Sequence, residues 1–227
     1  MRFRAILMDN DGTLMDFKAG EANAIGEVLK KLNISDPCGP EVYSRINEQC
    51  WKDFEKKLIT QPQLRIRRFK ELLEYYRCTG SPQEAAVWYE EALAGQSILL
   101  PGALETVRAI SEKLPVWILT NGIAHIQHRR IEVSPIFPYL SGVLISSEVG
   151  APKPAPDMYL KALQMLGGMR PEEVLMIGDS LTSDIAGAVN VGIPACWYNP
   201  QHSQSTSCLK IDYEIDSMEQ MVEVALS

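Results

Sequence analysis

The sequence lacks the features that would place the protein in a membrane or in a disulfide-forming compartment. Its unbroken apolar runs are short, as in Ile6-Leu7-Met8, whereas a membrane-spanning helix needs about 20 apolar residues. The amino terminus shows no long apolar segment with a cleavage site, so no secretion signal is expected. The five cysteines are an odd number without a Cys-x-x-Cys pair, which favours reduced thiols over a disulfide frame or a zinc site. We therefore expect a cytoplasmic protein that does not bind membranes.

The sequence also lacks a surplus of basic residues. Its 22 Lys and Arg residues are outnumbered by 29 Asp and Glu residues, which gives a net charge of −7 and argues against broad binding to a nucleic acid polymer. An anionic substrate must then be attracted by positive charge close to its site. With 46% hydrophobic residues in 227 positions, the chain is typical of one large globular domain, or of a core with a modest insertion.

The spacing of apolar residues predicts two kinds of structure. Residues 3–9 have the continuously apolar pattern of a buried strand, and residues 19–95 have the spacing of four amphipathic helices. From about residue 102 onward, helical patterns alternate with short apolar segments, as in a parallel sheet with right-handed crossovers. Further strands are predicted at 116–119, 143–145, 174–177 and 195–197.

These patterns predict an α/β fold in which a Rossmann-like parallel sheet core carries an inserted helical-bundle cap. The core comprises residues 1–15 and 96–227, and the cap comprises residues 16–95. A basic run from Arg65 to Lys70 lies in the third predicted helix of the cap, where we expect a solvated face.

Polar residues follow the predicted strands at the points where the strands end. A single Asp in this position is usually a turn former or a helix cap. Several converging carboxylates repel one another, and they persist mainly where a divalent cation binds. Ligands of parallel α/β sheets also bind at the carboxyl ends of the strands. The residues concerned are Asp9, Asp11, Thr120, Asn121, Asp179 and Asp184, with Lys153 on a later loop.

Four segments with these residues resemble the motifs of the haloacid-dehalogenase superfamily, in particular its phosphatases. Asp9–Thr13 matches the first motif, D-x-D-G-T, and Leu119–Gly122 matches the second, with its Thr at a strand end. Lys153–Pro156 matches the lysine motif, and Gly178–Asp184 matches G-D-x-x-x-x-D. Each motif is weak alone, but all four occur in order and at strand ends, over residues 3 to about 200.

The resemblance implies a catalytic role for each matched side chain. Asp9 would attack the phosphoryl group and form an aspartyl-phosphate intermediate. Asp11 would protonate the leaving oxygen and then deprotonate the attacking water. Thr120, Asn121 and Lys153 would bind the phosphate, with Lys153 placing an ammonium against a phosphoryl oxygen at a surface cleft.

The resemblance also implies a Mg²⁺ cofactor, because the charge on a phosphate monoester repels a nucleophile unless a cation is present. The expected ligands are Asp9, Asp179 and Asp11, the last through its main-chain carbonyl. Asp184 would bind the metal directly or from the outer shell, and the sequence leaves both arrangements open.

Asp11 separates the two activities of the superfamily. The dehalogenases use the first Asp to attack carbon, need no metal and have no carboxylate two residues later, whereas this chain has Asp11. We therefore predict a phosphatase that acts on a small phosphorylated metabolite. A sugar-phosphate or phosphoglycolate phosphatase and a phosphomutase remain as alternatives, and a non-catalytic binding protein on the same fold remains as an alternative of another class.

The sequence is most similar to the pyrimidine 5′-nucleotidase branch, which acts on small nucleoside monophosphates. This similarity rests on Trp51, on Ile59-Thr60, on Ile145–Gly150 and on the segment from Gly192 to Asn199. The chain departs from the branch at Gly12, where an acidic residue is common, and in a proline-rich segment at 134–138. The substrate is therefore predicted from these few segments, whereas the reaction is predicted from four complete motifs.

Overall fold

The computed structural model describes residues 2–204 and 208–227 and divides them into two compact units. The sheet unit contains the residues up to Asp16 together with Ser97–Ser227, and the helical unit is Phe17–Gln96. These bounds lie one residue from those predicted. That the helical unit serves as a cap stays a prediction.

The helical unit consists of four helices, α1 (Phe17–Lys31), α2 (Gly39–Glu55), α3 (Gln61–Tyr76) and α4 (Pro82–Ala94). Thr60 and Ser81 accept hydrogen bonds from the backbone of the third residue after them and so cap α3 and α4. The expectation of a solvated basic face on α3 was wrong for Arg68, which is 2% exposed and donates to Asn47.

Among the described residues, the sheet unit contains six strands: β1 (Ala5–Met8), β2 (Val116–Thr120), β3 (Gly142–Ile145), β4 (Val174–Gly178), β5 (Ala195–Tyr198) and β6 (Tyr213–Ile215). They form a parallel sheet in the order β3-β2-β1-β4-β5-β6. The first strand is central, with β2 on one side and β4 on the other, so the strand order reverses at β1. The structure confirms the predicted α/β fold class.

Helices cover both faces of this sheet, which explains why β1 is apolar at every position. Ile6 and Met8 belong to the core on one face, and Ala5 and Leu7 belong to the core on the other. The helices are α5 (Ala103–Ser111), α6 (Ala124–Glu132), α7 (Ser146–Val149), α8 (Pro156–Met165), α9 (Ala186–Asn190) and α10 (Met218–Ala225), with single helical turns at Phe137–Tyr139, Pro171–Glu173 and Leu181–Ile185.

The chain leaves the sheet unit and returns to it through two paired segments. Asp16 N donates to Ile98 O at 2.9 Å, and Leu100 N donates to Leu14 O at 2.9 Å. Met15 and Leu99 form an antiparallel bridge between these bonds. The two ends of the insertion therefore start from neighbouring positions on one short ladder.

Two further findings bear on the sequence analysis. No helix in the described ranges combines the length and the apolar character needed to cross a membrane. The five cysteines all lie within these ranges and are free thiols. The cytoplasmic location stays a prediction.

Candidate active site

The strand pairing places three of the predicted site residues at one edge of the sheet. Met8 pairs with Ile118 of β2 and with Ile177 of β4, and Asp9 N extends the ladder by donating to Ile177 O at 2.9 Å. Asp9, Thr120 and Asp179 therefore lie at or just beyond the carboxyl ends of three neighbouring strands. This is also where the strand order reverses, which is the usual ligand-binding position in such sheets.

The turn after Asp9 packs against Asp179. Gly12 has a φ of +91°, and a Cβ atom there would lie 2.6 Å from Asp179 Oδ2. A side chain at this position is therefore disfavoured by both backbone conformation and space, unless Asp179 shifts. Thr13 Oγ1 donates to Asp179 Oδ1 at 3.3 Å. The two contacts hold the first and the fourth motifs together.

The carboxylates of Asp9, Asp179 and Asp184 converge at this edge, with one oxygen of each within 4.8 Å of the others. Lys153 Nζ donates to Asp9 Oδ1 at 2.5 Å, to Asp184 Oδ1 at 2.7 Å and to the main-chain oxygen of Leu119 at 2.8 Å. The expectation of a lysine at a surface cleft was wrong, because Lys153 is 2% exposed. Its ammonium is buried among the groups that it neutralises.

The pKa values of these groups follow from burial and from their mutual charge. Burial raises the pKa of the Asp9 carboxyl well above its ordinary value, Lys153 lowers it, and the charges of Asp184 and Asp179 raise it again. Burial and the charge of Asp184 raise the pKa of Asp179 to about 6, against the opposing effect of Lys153. Burial lowers the pKa of Lys153, but the charges of Asp184 and Asp9 outweigh burial and keep it above its ordinary value. The carboxylates therefore favour a further positive charge nearby.

Asp184 is fixed by the helical turn Leu181–Ile185. Its Oδ2 accepts from Ser180 N at 3.1 Å, while Lys153 occupies Oδ1. The hydroxyl of Tyr159 lies 2.9 Å from Ser183 O and 3.1 Å from Asp184 O, and can donate to either oxygen. Asp184 is itself fully buried, so these bonds determine its position.

Thr120 and Asn121 occupy the end of β2 in different ways. Thr120 Oγ1 accepts from Gly122 N at 3.1 Å, and this bond does not use the hydroxyl hydrogen. The Asn121 side chain pairs with the main chain of Lys153, donating to its oxygen at 2.9 Å and accepting from its nitrogen at 2.8 Å. Asn121 thus fixes the loop that carries Lys153. Phosphate binding by Asn121 stays a prediction.

The Asp11 carboxylate is directed to α6 and does not belong to the group formed by Asp9, Asp179 and Asp184. Arg130 Nη1 donates to Asp11 Oδ1 at 2.6 Å, and Gln127 Nε2 donates to Asp11 Oδ2 at 2.6 Å. A metal contact of Asp11 would therefore have to come from its main-chain carbonyl, as the family resemblance implies.

Gln127 and Arg130 were not predicted as site residues from the sequence, although the sequence contains a signal for them. Ile126 and Ile131 are buried on one broad face of α6, and Ile123 is buried directly before the helix. Positions 127 and 130 fall on the same face, where polar residues are not expected. A polar residue on an apolar helix face, close after a motif, indicates a buried partner.

The donor atoms of the three converging carboxylates are suited to a divalent metal ion. Asp9, Asp179 and Asp184 offer carboxylate oxygens, which hard cations prefer. Together with the one ammonium of Lys153 they carry two negative charges when ionised, and a divalent cation would balance these.

Comparison with known proteins identifies relatives of this chain in sequence and in structure. The family model of haloacid dehalogenase-like hydrolases matches residues 3–192. The pyrimidine 5′-nucleotidase PynA of Streptococcus pneumoniae is 34% identical over 225 residues, which cover 98% of this chain and 95% of PynA. The pyrimidine 5′-nucleotidase YjjG of Escherichia coli is 30% identical over 182 residues, 80% of each chain. The crystal structure of the HAD-hydrolase YfnB of Bacillus subtilis, bound to magnesium, superposes with a TM-score of 0.93 at 29% identity and covers 99% of both chains.

The chain therefore belongs to the haloacid dehalogenase-like hydrolases, which confirms the family resemblance seen in the sequence. Within this family it is a phosphatase, a hydrolase of phosphate monoesters, as the carboxylate at Asp11 predicts.

Proposed function

We propose that the protein is a Mg²⁺-dependent phosphatase that acts through an aspartyl-phosphate intermediate on Asp9, with small nucleoside monophosphates as substrates. The observation that carries this proposal is the convergence of Asp9, Asp179 and Asp184 with Lys153 at the edge of the sheet where the strand order reverses. The experiment that tests it most directly is detection of the phosphoryl group on Asp9, described in the Discussion.

The chemistry proceeds in two half-reactions. In the first, an oxygen of Asp9 forms a bond to phosphorus while the bond from phosphorus to the leaving oxygen breaks, and Asp11 gives its proton to that oxygen. In the second, Asp11 takes a proton from water as the water oxygen attacks phosphorus. The bond between phosphorus and Asp9 then breaks, which releases phosphate and regenerates the free carboxylate. One water is consumed for each ester cleaved.

The remaining side chains hold the phosphoryl group during both half-reactions. Lys153 would act through the positive charge of its ammonium, whose three hydrogens are donated to Asp9, Asp184 and Leu119, and Thr120 would offer its hydroxyl hydrogen. Asp9, Asp179 and Asp184 would hold the metal ion, with the main-chain carbonyl of Asp11 by family resemblance. When bound, Mg²⁺ supplies positive charge to the phosphoryl oxygens and offsets the repulsion of the nucleophile.

Metal removal is expected to abolish turnover of p-nitrophenyl phosphate, and added Mg²⁺ is expected to restore it. The reason is that the carboxylate group repels an anionic substrate unless a cation compensates it. Binding is checked separately from activity by the melting temperature, which Mg²⁺ should raise in the wild type. In Asp179→Asn the same addition should give a much smaller rise. Full activity after exhaustive chelation, with the metal content measured as nil, would contradict the metal assignment.

Pyrimidine nucleoside monophosphates are expected among the better substrates in a panel that also contains purine nucleotides, sugar phosphates and phosphoglycolate. Support for this comes from the similarity to PynA and YjjG, both pyrimidine 5′-nucleotidases. The measurement is kcat/KM for release of phosphate from each compound. A panel in which a sugar phosphate turns over well and every nucleotide is inert would favour the sugar-phosphate alternative.

A further inference from the structure

We propose that Arg130 and Gln127 are positioning residues for Asp11, whose carboxylate they hold in one orientation for both proton transfers. The inference rests on the proposed function, in which Asp11 is the acid of the first half-reaction and the base of the second. It assigns a role to a helix, α6, that lies outside the four motifs.

The contacts fix both degrees of freedom of the Asp11 side chain. Arg130 bonds to one carboxylate oxygen and Gln127 to the other, each at 2.6 Å. With a single donor, the carboxylate can still rotate about its last bond, but donors at both oxygens fix the plane as well as the rotamer. The contact with Arg130 joins opposite charges and is accordingly short and directional.

The two donors are themselves held in place. Arg130 and Gln127 are 1% and 3% exposed and lie three residues apart on α6, so their side chains are neighbours on one face. Asn10 Nδ2 donates to Gln127 Oε1 at 2.7 Å. Because this bond occupies the oxygen end of the Gln127 amide, the nitrogen end faces Asp11. Hydrogen bonds thus connect Asn10 to Gln127 and both Gln127 and Arg130 to the Asp11 carboxylate.

Packing alone does not account for this pair. Apolar residues at 127 and 130 would complete the face formed by Ile126 and Ile131 without the cost of burying an amide and a guanidinium. The Asp11 side chain keeps 23% exposure, so its carboxylate is held by buried donors while part of it stays accessible. The accessible part of the carboxylate can meet an ester oxygen or a water, which proton exchange with either one needs.

The test compares two substrates that differ in how much they need a proton donor. The leaving group of p-nitrophenyl phosphate departs with little protonation, whereas that of phenyl phosphate needs more. The variants are Gln127→Met, which keeps side-chain length, Arg130→Met, which keeps an unbranched apolar stem without the guanidinium, and Arg130→Lys, which keeps the charge. Arg129→Met, at an exposed position of the same helix, is the matched control. Rapid quenching and mass spectrometry give the rate of phosphoenzyme formation and its steady-state fraction.

Arg130→Met is expected to slow phosphorylation by phenyl phosphate about tenfold more than phosphorylation by p-nitrophenyl phosphate, since misplacing an acid forfeits part of its catalytic factor. With p-nitrophenyl phosphate, the steady-state fraction of phosphoenzyme should rise above that of the wild type, because hydrolysis of the phosphoenzyme needs Asp11 as the base. Gln127→Met should give the same pattern to a smaller extent, and Arg130→Lys should recover part of the loss. Arg129→Met should match the wild type.

The outcomes separate the inference from the proposed function. Asp11→Asn shows how far the two phosphorylation rates change when the acid and base is lost completely. If Asp11→Asn discriminates between the two substrates and the folded variants at 127 and 130 do not, the inference is overturned and the proposed function stands. If Asp11→Asn treats both substrates alike, the proposed function fails and the inference fails with it. If Arg130→Met does not fold, Arg130→Lys and Gln127→Met answer the question through the same measurement, the ratio of the phosphorylation rates with the two substrates.

Discussion

Asp9→Asn is expected to show no turnover and no covalent phosphoenzyme, because the amide that replaces the carboxylate cannot act as the nucleophile. Asp11→Asn is expected to be equally slow in the steady state but to behave differently when quenched. With p-nitrophenyl phosphate, whose leaving group needs little protonation, part of the enzyme should be trapped as phosphoenzyme. The measurement is mass spectrometry of the acid-quenched peptide that contains residues 9 to 11.

The position of the label decides between the two residues. A phosphoryl group on Asp11, or turnover by an Asp9→Asn enzyme shown to be free of deamidation back to Asp, would reverse the assignment. Asp157→Asn is a suitable control, because this Asp is exposed on α8 and should leave both the label and the rate unchanged.

Lys153→Met is expected to lower turnover by about a hundredfold or more, as the loss of one preorganised contact to a phosphoryl oxygen does in such sites. It should also destabilise the fold, which the buried position of the ammonium explains. Removing it leaves the buried carboxylates of Asp9 and Asp184 without this partner, and breaking a buried pair in this way costs about 3–5 kcal/mol. Turnover is measured at a temperature where circular dichroism shows the variant to be folded.

A second substitution separates the two effects. Adding Asp184→Asn to Lys153→Met removes one of the unpaired charges, so the melting temperature should partly recover while turnover stays low. Lys161→Met, at an exposed position of α8, should change neither quantity. Near-normal turnover of folded Lys153→Met would show that this lysine does not contact the phosphoryl group.

The convergence of the carboxylates was predictable because it depends on backbone topology. Asp9 and Asp179 directly follow apolar strands, and parallel strands bring their carboxyl ends to one edge. Lys153 was identified by its motif, but its burial was not, since burial depends on how Leu119 and Asp184 enclose the ammonium. β6, at Tyr213–Ile215, was not predicted, because three residues are too few for a periodic pattern.

Interactions between side chains far apart in sequence were the least predictable. Asp11 and Arg130 are separated by 119 residues, and nothing in either local pattern specifies that they meet. Arg68 shows the same limit, because a charged run on a helix usually faces solvent and only tertiary packing shows which of its members is buried. Local sequence patterns thus predicted the site residues whose place is set by the main chain. They did not predict the residues whose place is set by contacts with distant side chains.

The short ladder between the segments around Met15 and Leu99 has a consequence for how such proteins diversify. The backbones that flank the helical unit are already hydrogen-bonded to each other, from Asp16 to Ile98 and from Leu100 to Leu14. A hairpin turn of about two residues would join the same two backbones. An insertion of another length or sequence can therefore enter here without shifting the register that aligns Asp9 with Asp179. Changes in the inserted helices would then leave the backbone that carries the carboxylates in place.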